Sequence, residues 1–83
     1  PSTTIPFRIP ASFGAQSLPV RLTIFNALGQ RIRSLIDEPR SAGYYRAHWN
    51  GRDDGGQQIA SGLYFFQLNA ADHSATGKML FIE

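Results

Sequence analysis

The segment WNGRDDGGQQIASGLYFF, residues 49–66, contains the residue types most suggestive of a binding site. Asp53 and Asp54 stand beside Gly55 and Gly56, and a calcium loop needs several oxygen ligands within roughly a dozen residues. The spacing D-x-[DN]-x-[DN]-G of such loops is not met. The pattern therefore favours a turn in which the carboxylates accept backbone N–H groups and the glycines adopt positive φ, with calcium binding as the alternative.

Residues capable of acid–base or nucleophilic catalysis are scarce. The chain has two histidines and no cysteine, and its carboxylates fall mostly in predicted loops. His48 lies on the outer face of a predicted strand. His73 lies in a predicted turn beside Asp72 and Ser74, and three residues adjacent in sequence cannot form a catalytic triad. We therefore predict that the protein is not an enzyme and uses no cofactor or metal.

Five aromatic residues could instead form a platform on which sugar rings stack. They are Phe25, Tyr44, Trp49, Tyr64 and Phe65. In a chain this small, however, aromatic side chains must supply much of the buried apolar surface, and Trp49 ends an alternating strand pattern. The core interpretation is therefore favoured, and carbohydrate binding is kept as the main functional alternative.

The elements that position these residues must fit into one domain, residues 1–83. A chain of 83 residues buries only about 60% of its unfolded surface, which is too little for two cores. Hydrophobic residues make up 42% and charged residues 17%, with 8 Gly and 5 Pro, which argues against disorder and indicates many turns. Because Cys is absent, neither a disulfide framework nor a thiolate metal site can form.

The charge pattern argues against a nucleic-acid partner. The formal net charge is +2, and seven of the eight basic residues are arginines spread along the chain rather than clustered on one element. No apolar run approaches the ~20 residues of a membrane span. No signal peptide opens the chain, so we expect any signal peptide to lie outside these residues.

Alternation of apolar and polar residues predicts short strands along the whole chain. The strongest patterns are TTIPFRI, LPVRLTIFN, QRIRSLI, GYYRAHW, GLYFFQLNA and GKMLFIE. Pro6 lacks a ladder donor, which assigns the first strand to a sheet edge. A helical turn is the alternative for QRIRSLI. Six to seven strands with turn residues between them predict an all-β fold, an antiparallel β-sandwich.

Glycine, proline and asparagine predict the connections between the strands. NALGQ forms a hairpin turn, with Gly29 at positive φ and Asn26 bonded to its own backbone. Pro39 and Gly43 bracket a loop, and the last hairpin turns at NAADHSATG. Residues 1–4 are interpreted as the tail of a linker.

Three separate motifs together point to a family. The segments VRLTIFNALGQRIRSLI, AGYYRAHWNGRDDGGQQIASGLYFF and the terminal KML resemble the C-terminal sorting domains of type IX secretion in Bacteroidetes and related phyla. The Ig-like relatives of these domains include a domain of the flagellar hook cap protein, which shares the Trp-Asp-Gly loop. The resemblance extends over nearly the whole chain and implies an Ig-like or fibronectin type III-like sandwich.

The resemblance also assigns recognition residues. The two Gly-x-Tyr motifs of the sorting domains fall on Gly43 and Tyr45 and on Gly62 and Tyr64, and their terminal lysine falls on Lys78. Translocon recognition is accordingly assigned to Gly43, Tyr45, Gly62, Tyr64, Lys78, Met79, Leu80 and Phe81. On the terminal strand, Lys78 would offer a charge while Met79 and Phe81 hold the strand against the core.

The central segment is identified by the resemblance as a structural loop between strands. Its assigned residues are Trp49, Asn50, Gly51, Asp53 and Gly56, with Asn50 in place of the usual Asp. Gly51 and Gly62 would serve backbone geometry. Trp49 and Tyr64 would anchor the two ends of the loop in the core.

The function that the resemblance implies is that of an export address. A cargo enzyme or adhesin, fused on the N-terminal side, would cross the inner membrane with its own signal peptide. This domain would then present the cargo, in the periplasm, to the type IX outer-membrane translocon and its C-terminal signal peptidase. The cargo would be secreted or attached to the cell surface. We expect a monomer that binds no nucleic acid and offers an accessible terminal edge strand for β-augmentation.

Three functions from other classes stay open on the sequence alone. They are a carbohydrate-binding module, a flagellar cap domain and a structural Ig-like accessory module. The ending KML and the leading PSTT are features of sorting domains, which ranks the flagellar cap domain below the export address.

Overall fold

Six β-strands account for most of the chain in the computed structural model, which describes residues 2–11 and 17–82. The strands are β1 (Thr3–Ile9), β2 (Leu18–Asn26), β3 (Arg31–Arg40), β4 (Gly43–Trp49), β5 (Gly62–Ala70) and β6 (His73–Phe81). Within the described ranges, no helix is long and apolar enough to cross a membrane. The helical alternative for QRIRSLI is wrong, since residues 31–36 of this segment belong to β3.

The strands form two antiparallel sheets. The smaller sheet contains β1 and β4, and the larger has the order β3-β2-β5-β6. The chain therefore crosses between the sheets after β1, after β3 and after β4, while β2–β3 and β5–β6 are hairpins. The predicted antiparallel β-sandwich is confirmed, with six strands. Among the described residues β1 pairs only with β4, as the edge position of Pro6 requires.

The inward faces of both sheets meet in one core. Its buried apolar residues are Ile5, Phe7, Ile9, Val20, Leu22, Ile24, Ile36, Ala47, Trp49, Ile59, Tyr64, Leu68, Ala70 and Phe81. Most of them lie at alternate positions of a strand, because successive side chains of a strand point to opposite faces of its sheet. Ile59 is the member that comes from the long loop between β4 and β5. This loop is consequently part of the packed structure.

The first hairpin turns as predicted. Gly29 has a φ of 83°. Asn26 Oδ1 accepts hydrogen bonds from the backbone N–H groups of Leu28, at 3.0 Å, and Gln30, at 2.9 Å. The side chain thus replaces backbone partners in the turn, which is the usual reason for Asn at this kind of position.

Strand β3 is irregular along its pairing with β2. The register between the two strands shifts twice, so that Ile32 and Leu35 are extra residues without a partner opposite them. Such bulges bend a strand and increase its local twist. Both extra residues are half-buried and pack against the core.

Three boundary predictions are wrong. Pro39 lies inside β3 rather than in a loop; its partner across the ladder is Pro19, so no N–H is required there. Residues 3 and 4 belong to β1, where Thr3 pairs with Trp49, rather than to a linker. The last hairpin turns only at Ala71 and Asp72, because the ladder between β5 and β6 continues down to His73. Pro1 and Glu83 lie outside the described residues.

Candidate functional site

The acidic segment of the central loop is a closed turn. Asp53 Oδ1 accepts the backbone N–H groups of Gly55 and Gln57, both at 2.9 Å. The backbone closes the same turn between Asp53 and Gln57, and Gly56 has a φ of 85°. The predicted turn is therefore confirmed for Asp53. Among the described residues no group of three or more His, Asp or Glu side chains is arranged to hold a metal ion.

Asp54 reaches away from its own turn to the outer edge of β3. Its Oδ1 accepts the backbone N–H of Ser34 at 2.9 Å, and its Oδ2 accepts Arg31 Nε at 3.1 Å. Its own backbone N–H donates to the Ile32 carbonyl at 2.9 Å. The Ser34 hydrogen bond, assisted by Arg31, lowers the pKa of the Asp54 carboxyl. The loop thus takes the place of a neighbouring strand along this part of β3.

The beginning of the loop is fixed by Trp49, Asn50 and Gly51. The Trp49 indole is fully buried and donates Nε1–H to the Arg52 carbonyl at 3.0 Å. Asn50 Oδ1 accepts the Arg52 N–H at 3.1 Å. Gly51 is buried with a φ of 75°, and a Cβ at this position would overlap the Phe81 ring. The predicted geometric role of Gly51 is confirmed.

Three aromatic rings connect the two ends of the loop to the last strand. The Trp49 ring centroid lies 5.7 Å from Tyr64 and 5.2 Å from Phe81, and Tyr64 meets Phe81 edge-on at 6.4 Å. Aromatic pairs at these separations add stability beyond the burial of their area. Trp49 and Tyr64 are therefore anchors of the loop, as predicted, and Phe81 is the third member that joins β6 to them.

The five aromatic residues do not form one platform, and the favoured core interpretation is confirmed for only two of them. Trp49 and Tyr64 are buried in the core. Phe25 and Phe65 pair across β2 and β5, one residue out of phase with the core positions of these strands. Tyr44 is 83% exposed on the smaller sheet. The structure therefore divides the five rings among three places.

The two Gly-x-Tyr motifs form the same local contact. The Tyr45 hydroxyl donates to the Ser41 carbonyl at 2.6 Å, and the Tyr64 hydroxyl donates to the Ala60 carbonyl at 2.7 Å. A tyrosine bonded back to the chain just before its strand is a known corner of Ig-like sandwiches. Both motifs therefore have a structural contact, and their assignment to translocon recognition stays a prediction.

The glycines of these motifs differ from each other. Gly43 has a φ of 154°, which favours glycine. Gly62 has no positive φ, and a Cβ there would lie 3.9 Å from Tyr64 Cε2, an ordinary contact. The prediction that Gly62 serves backbone geometry is therefore wrong.

Strand β6 is the other edge of the larger sheet. Its side chains alternate, with Lys78 and Leu80 exposed, Met79 half-buried and Phe81 buried. The predicted anchoring by Met79 and Phe81 is confirmed. Within the described part of the chain, residues 74–81 make no hydrogen bond besides their ladder with β5. Among the described residues, β6 therefore pairs with β5 alone, as expected of an edge strand.

The two histidines lie on different sheets, His48 on β4 and His73 on β6. His48 is exposed on β4. His73 begins β6 rather than lying in a turn, so His73 and Ser74 point to opposite faces of the sheet.

Two packed antiparallel sheets with a tyrosine corner define an Ig-like β-sandwich. The model of one family, the FlgD Ig-like domain, matches residues 4–74, and the chain belongs to this family. The predicted relationship to the Ig-like domain of the flagellar hook cap is thereby confirmed. The match includes the central loop and ends at the beginning of β6. No curated protein and no solved structure matches the chain significantly.

Proposed function

We propose that this domain is a C-terminal secretion signal module. It directs a cargo protein, fused on its N-terminal side, through the type IX outer-membrane translocon for release or for attachment to the cell surface. The observation that carries the proposal is the open edge of β6, where Lys78 and Leu80 project from a strand with no second neighbour among the described residues. The domain acts in the periplasm during transit and then outside the cell or on its surface.

The geometry of β6 suits recognition by β-augmentation. An added strand would gain affinity from the unpaired backbone groups of the edge and specificity from alternate side chains. On β6 these side chains are the positive Lys78 and the 67% exposed Leu80, which faces Leu63 across the ladder. A partner would complement them if it had a negative group and an apolar pocket at the spacing of two residues along a strand.

Buried residues at the two ends of the central loop hold the end of β6 in place. Phe81 packs against Trp49 and Tyr64, and its ring fills the space that Gly51 leaves by lacking a side chain. Because these contacts fix the end of β6, a partner need not order the strand on binding, which lowers the entropic cost of recognition. In this proposal Trp49, Gly51 and Tyr64 act by holding β6 in position.

A reporter carrying a signal peptide and residues 1–83 tests the proposal in a host with the type IX machinery and in the same host without its translocon. We expect export that depends on the translocon. Lys78→Ala and Leu80→Ala should each reduce export by ~10-fold or more if these residues are hot spots of the contact. Matched controls are Arg21→Ala and Leu28→Ala, since both side chains are exposed and lie away from β6.

Two results would contradict the proposal. One is retention of the folded reporter in the periplasm of the host that has the machinery. The other is full export after deletion of residues 80–83, because this removes Leu80 and Phe81 from the edge. Thermal unfolding of each purified variant distinguishes a lost contact from a lost fold.

A second candidate is a structural Ig-like accessory module, and the family match over residues 4–74 favours it. Such a module would need a stable sandwich but no open edge. Replacement of the domain by an unrelated Ig-like domain should then leave the export and activity of the cargo unchanged, whereas the signal function requires that export be lost.

A further inference from the structure

The outer face of the smaller sheet combines positive charge with an exposed aromatic ring. Arg8 lies opposite Tyr44 across the ladder, and Pro6 lies opposite Arg46. Directly opposed side chains of an antiparallel pair lie ~5 Å apart at Cβ, and diagonal ones ~7–8 Å apart. A shallow depression of about 570 Å³ runs over these strands, lined by Pro6, Phe7, Arg8, Tyr44, Tyr45 and Arg46.

The two arginines of this face have no acidic partner among the described residues. Three other arginines do, in the pairs Arg21–Asp37, Arg31–Asp54 and Arg40–Glu38. Arg33 and Arg52 donate to carbonyl groups around the central loop. Strands β1 and β4 contain no Asp or Glu at all. The positive charge of Arg8 and Arg46 is therefore uncompensated within the described ranges.

Tyr44 is unusually accessible for a strand residue. It is 83% exposed and has no ring contact or hydrogen bond with the described residues. Its neighbour Tyr45 differs, since its ring stacks on Phe7 at 5.3 Å and its hydroxyl is bonded to Ser41. With respect to the described residues, the Tyr44 ring thus has an open face beside two guanidinium groups without acidic partners.

We propose that this face binds an acidic polysaccharide, with uronic acid carboxylates as the recognised groups. Arg8 and Arg46 would each hold a carboxylate, which a guanidinium can bind with two parallel hydrogen bonds. Tyr44 would pack against the apolar side of a sugar ring between them, because tyrosine presents a large rigid surface at low entropic cost. The shallow depression accommodates an extended chain rather than an enclosed small molecule.

Other partners fit this face less well. A membrane surface would need exposed aliphatic side chains, and these residues, Leu28, Leu63, Leu80 and Ile82, lie elsewhere. A nucleic acid needs cations along several phosphates, whereas this face has two arginines. A neutral polysaccharide would use Tyr44 but leave both arginines without a role. The site lies on the opposite sheet from β6, so it is independent of the proposed export signal.

Binding of residues 1–83 to polygalacturonate, measured by isothermal titration calorimetry, tests the proposal. The methyl ester of the same polymer is the matched ligand, because it keeps the sugar rings and loses the charge. We expect binding to polygalacturonate and at least ~10-fold weaker binding to the ester, since hydrogen bonds to charged groups dominate the contact.

Variants then locate the site. Arg8→Gln combined with Arg46→Gln should weaken binding by ~10-fold or more. Tyr44→Ala should weaken binding by ~3- to 10-fold. The control Arg21→Gln removes an exposed arginine from the other sheet and should leave binding unchanged. All four side chains are exposed, so each variant should fold, and circular dichroism checks this.

Four results would overturn the proposal. The first three are no heat with polygalacturonate, equal binding of the methyl ester, and equal weakening by Arg21→Gln, which would indicate attraction to any polyanion. Tighter binding to single-stranded DNA or to anionic vesicles than to polygalacturonate would also overturn it. None of these results bears on export, because the reporter assay does not contain the polysaccharide.

Discussion

The two edges of the larger sheet are built differently. Strand β3 contains two bulges in its pairing with β2 and also contains Pro39, and its outer edge is covered at Ile32 and Ser34 by Asp54 from the central loop. The outer edge of β6 belongs to a nine-residue strand paired with β5 without a register shift, and no described residue covers it from Ser74 to Phe81.

An exposed, regular edge strand is a template for pairing with another chain, and proteins usually protect such edges with bulges, prolines or covering loops. Here all three devices are found on β3. Among the described residues, these features protect the edge of β3, and none of them lies on β6. A partner that pairs with β6 would complete the sheet on the side that the loop leaves open.

A large loss of stability is expected from Gly51→Ala, which disturbs both edges of the larger sheet together. The change forces a side chain into a left-handed backbone conformation and into the Phe81 ring, so we expect a loss of ~3 kcal/mol in the free energy of unfolding. Urea unfolding measures it. The matched control Gly62→Ala should change stability by less than ~1 kcal/mol. Equal losses in the two variants would refute the proposed role of Gly51.

Asp54→Ala should open the β3 edge selectively. The Ser34 N–H loses its acceptor and Arg31 loses its partner, while β6 is untouched. In hydrogen exchange monitored by NMR, the Ser34 amide should then exchange as fast as the outward-facing amides of β6. Asp72→Ala, in the turn between β5 and β6, is the control and should not alter Ser34. Unchanged protection of Ser34 in the Asp54 variant would show that the loop does not cover this edge.

Acid should weaken the β3 edge before it affects β6. The pKa of Asp54 is lowered in the folded state, chiefly by the Ser34 N–H, so its contribution is present above the unfolded pKa and is lost as pH falls through the lower folded pKa. The Ser34 amide shift should therefore titrate below pH ~3.9, the ordinary value for Asp. Asp54→Asn should abolish this titration. A midpoint at or above the ordinary value would contradict the Asp54 contact.

The smallest effect on stability is expected from Leu80→Ala, on the open edge. Leu80 is 67% exposed, so the free energy of unfolding should change by no more than ~0.5 kcal/mol. Phe81→Ala, one residue further along the same strand, should cost ~3 kcal/mol or more because its side chain is buried. Thermal and urea unfolding compare the two. A large loss for Leu80→Ala would mean that this side chain serves the fold rather than recognition.

Much of the fold could be predicted from period-two alternation. It identified the inward residues of β1, β2 and β4, such as Ile5, Val20 and Ala47, because one face of each strand is buried. The last hairpin was predicted, but its turn was placed over residues 69–77 instead of at Ala71 and Asp72. In the structure Gly77 lies inside β6 opposite Phe66, whose ring occupies the space beside it. Such a ring over a strand glycine is a tertiary contact that no local pattern reveals.

In the candidate site, the contacts between residues close in sequence were predictable, and those between distant parts of the chain were not. The bonds of Asp53 close a local turn, which sequence chemistry anticipates. The bonds of Asp54 depend on β3, twenty residues earlier in the chain. The pairing of the Gly-x-Tyr motifs with carbonyl groups four residues upstream was encoded locally and could have been found from the known tyrosine corner.

The contact of Phe81 with Trp49 and Tyr64 has a consequence for how the domain matures. The pocket around the indole is closed by a ring that arrives only with β6, long after Trp49 has been synthesised. A nascent chain, or one clipped before Phe81, leaves Trp49 open to water and exposes apolar surface that folding would otherwise bury. Truncation before Phe81 should therefore disturb the central loop as well as β6.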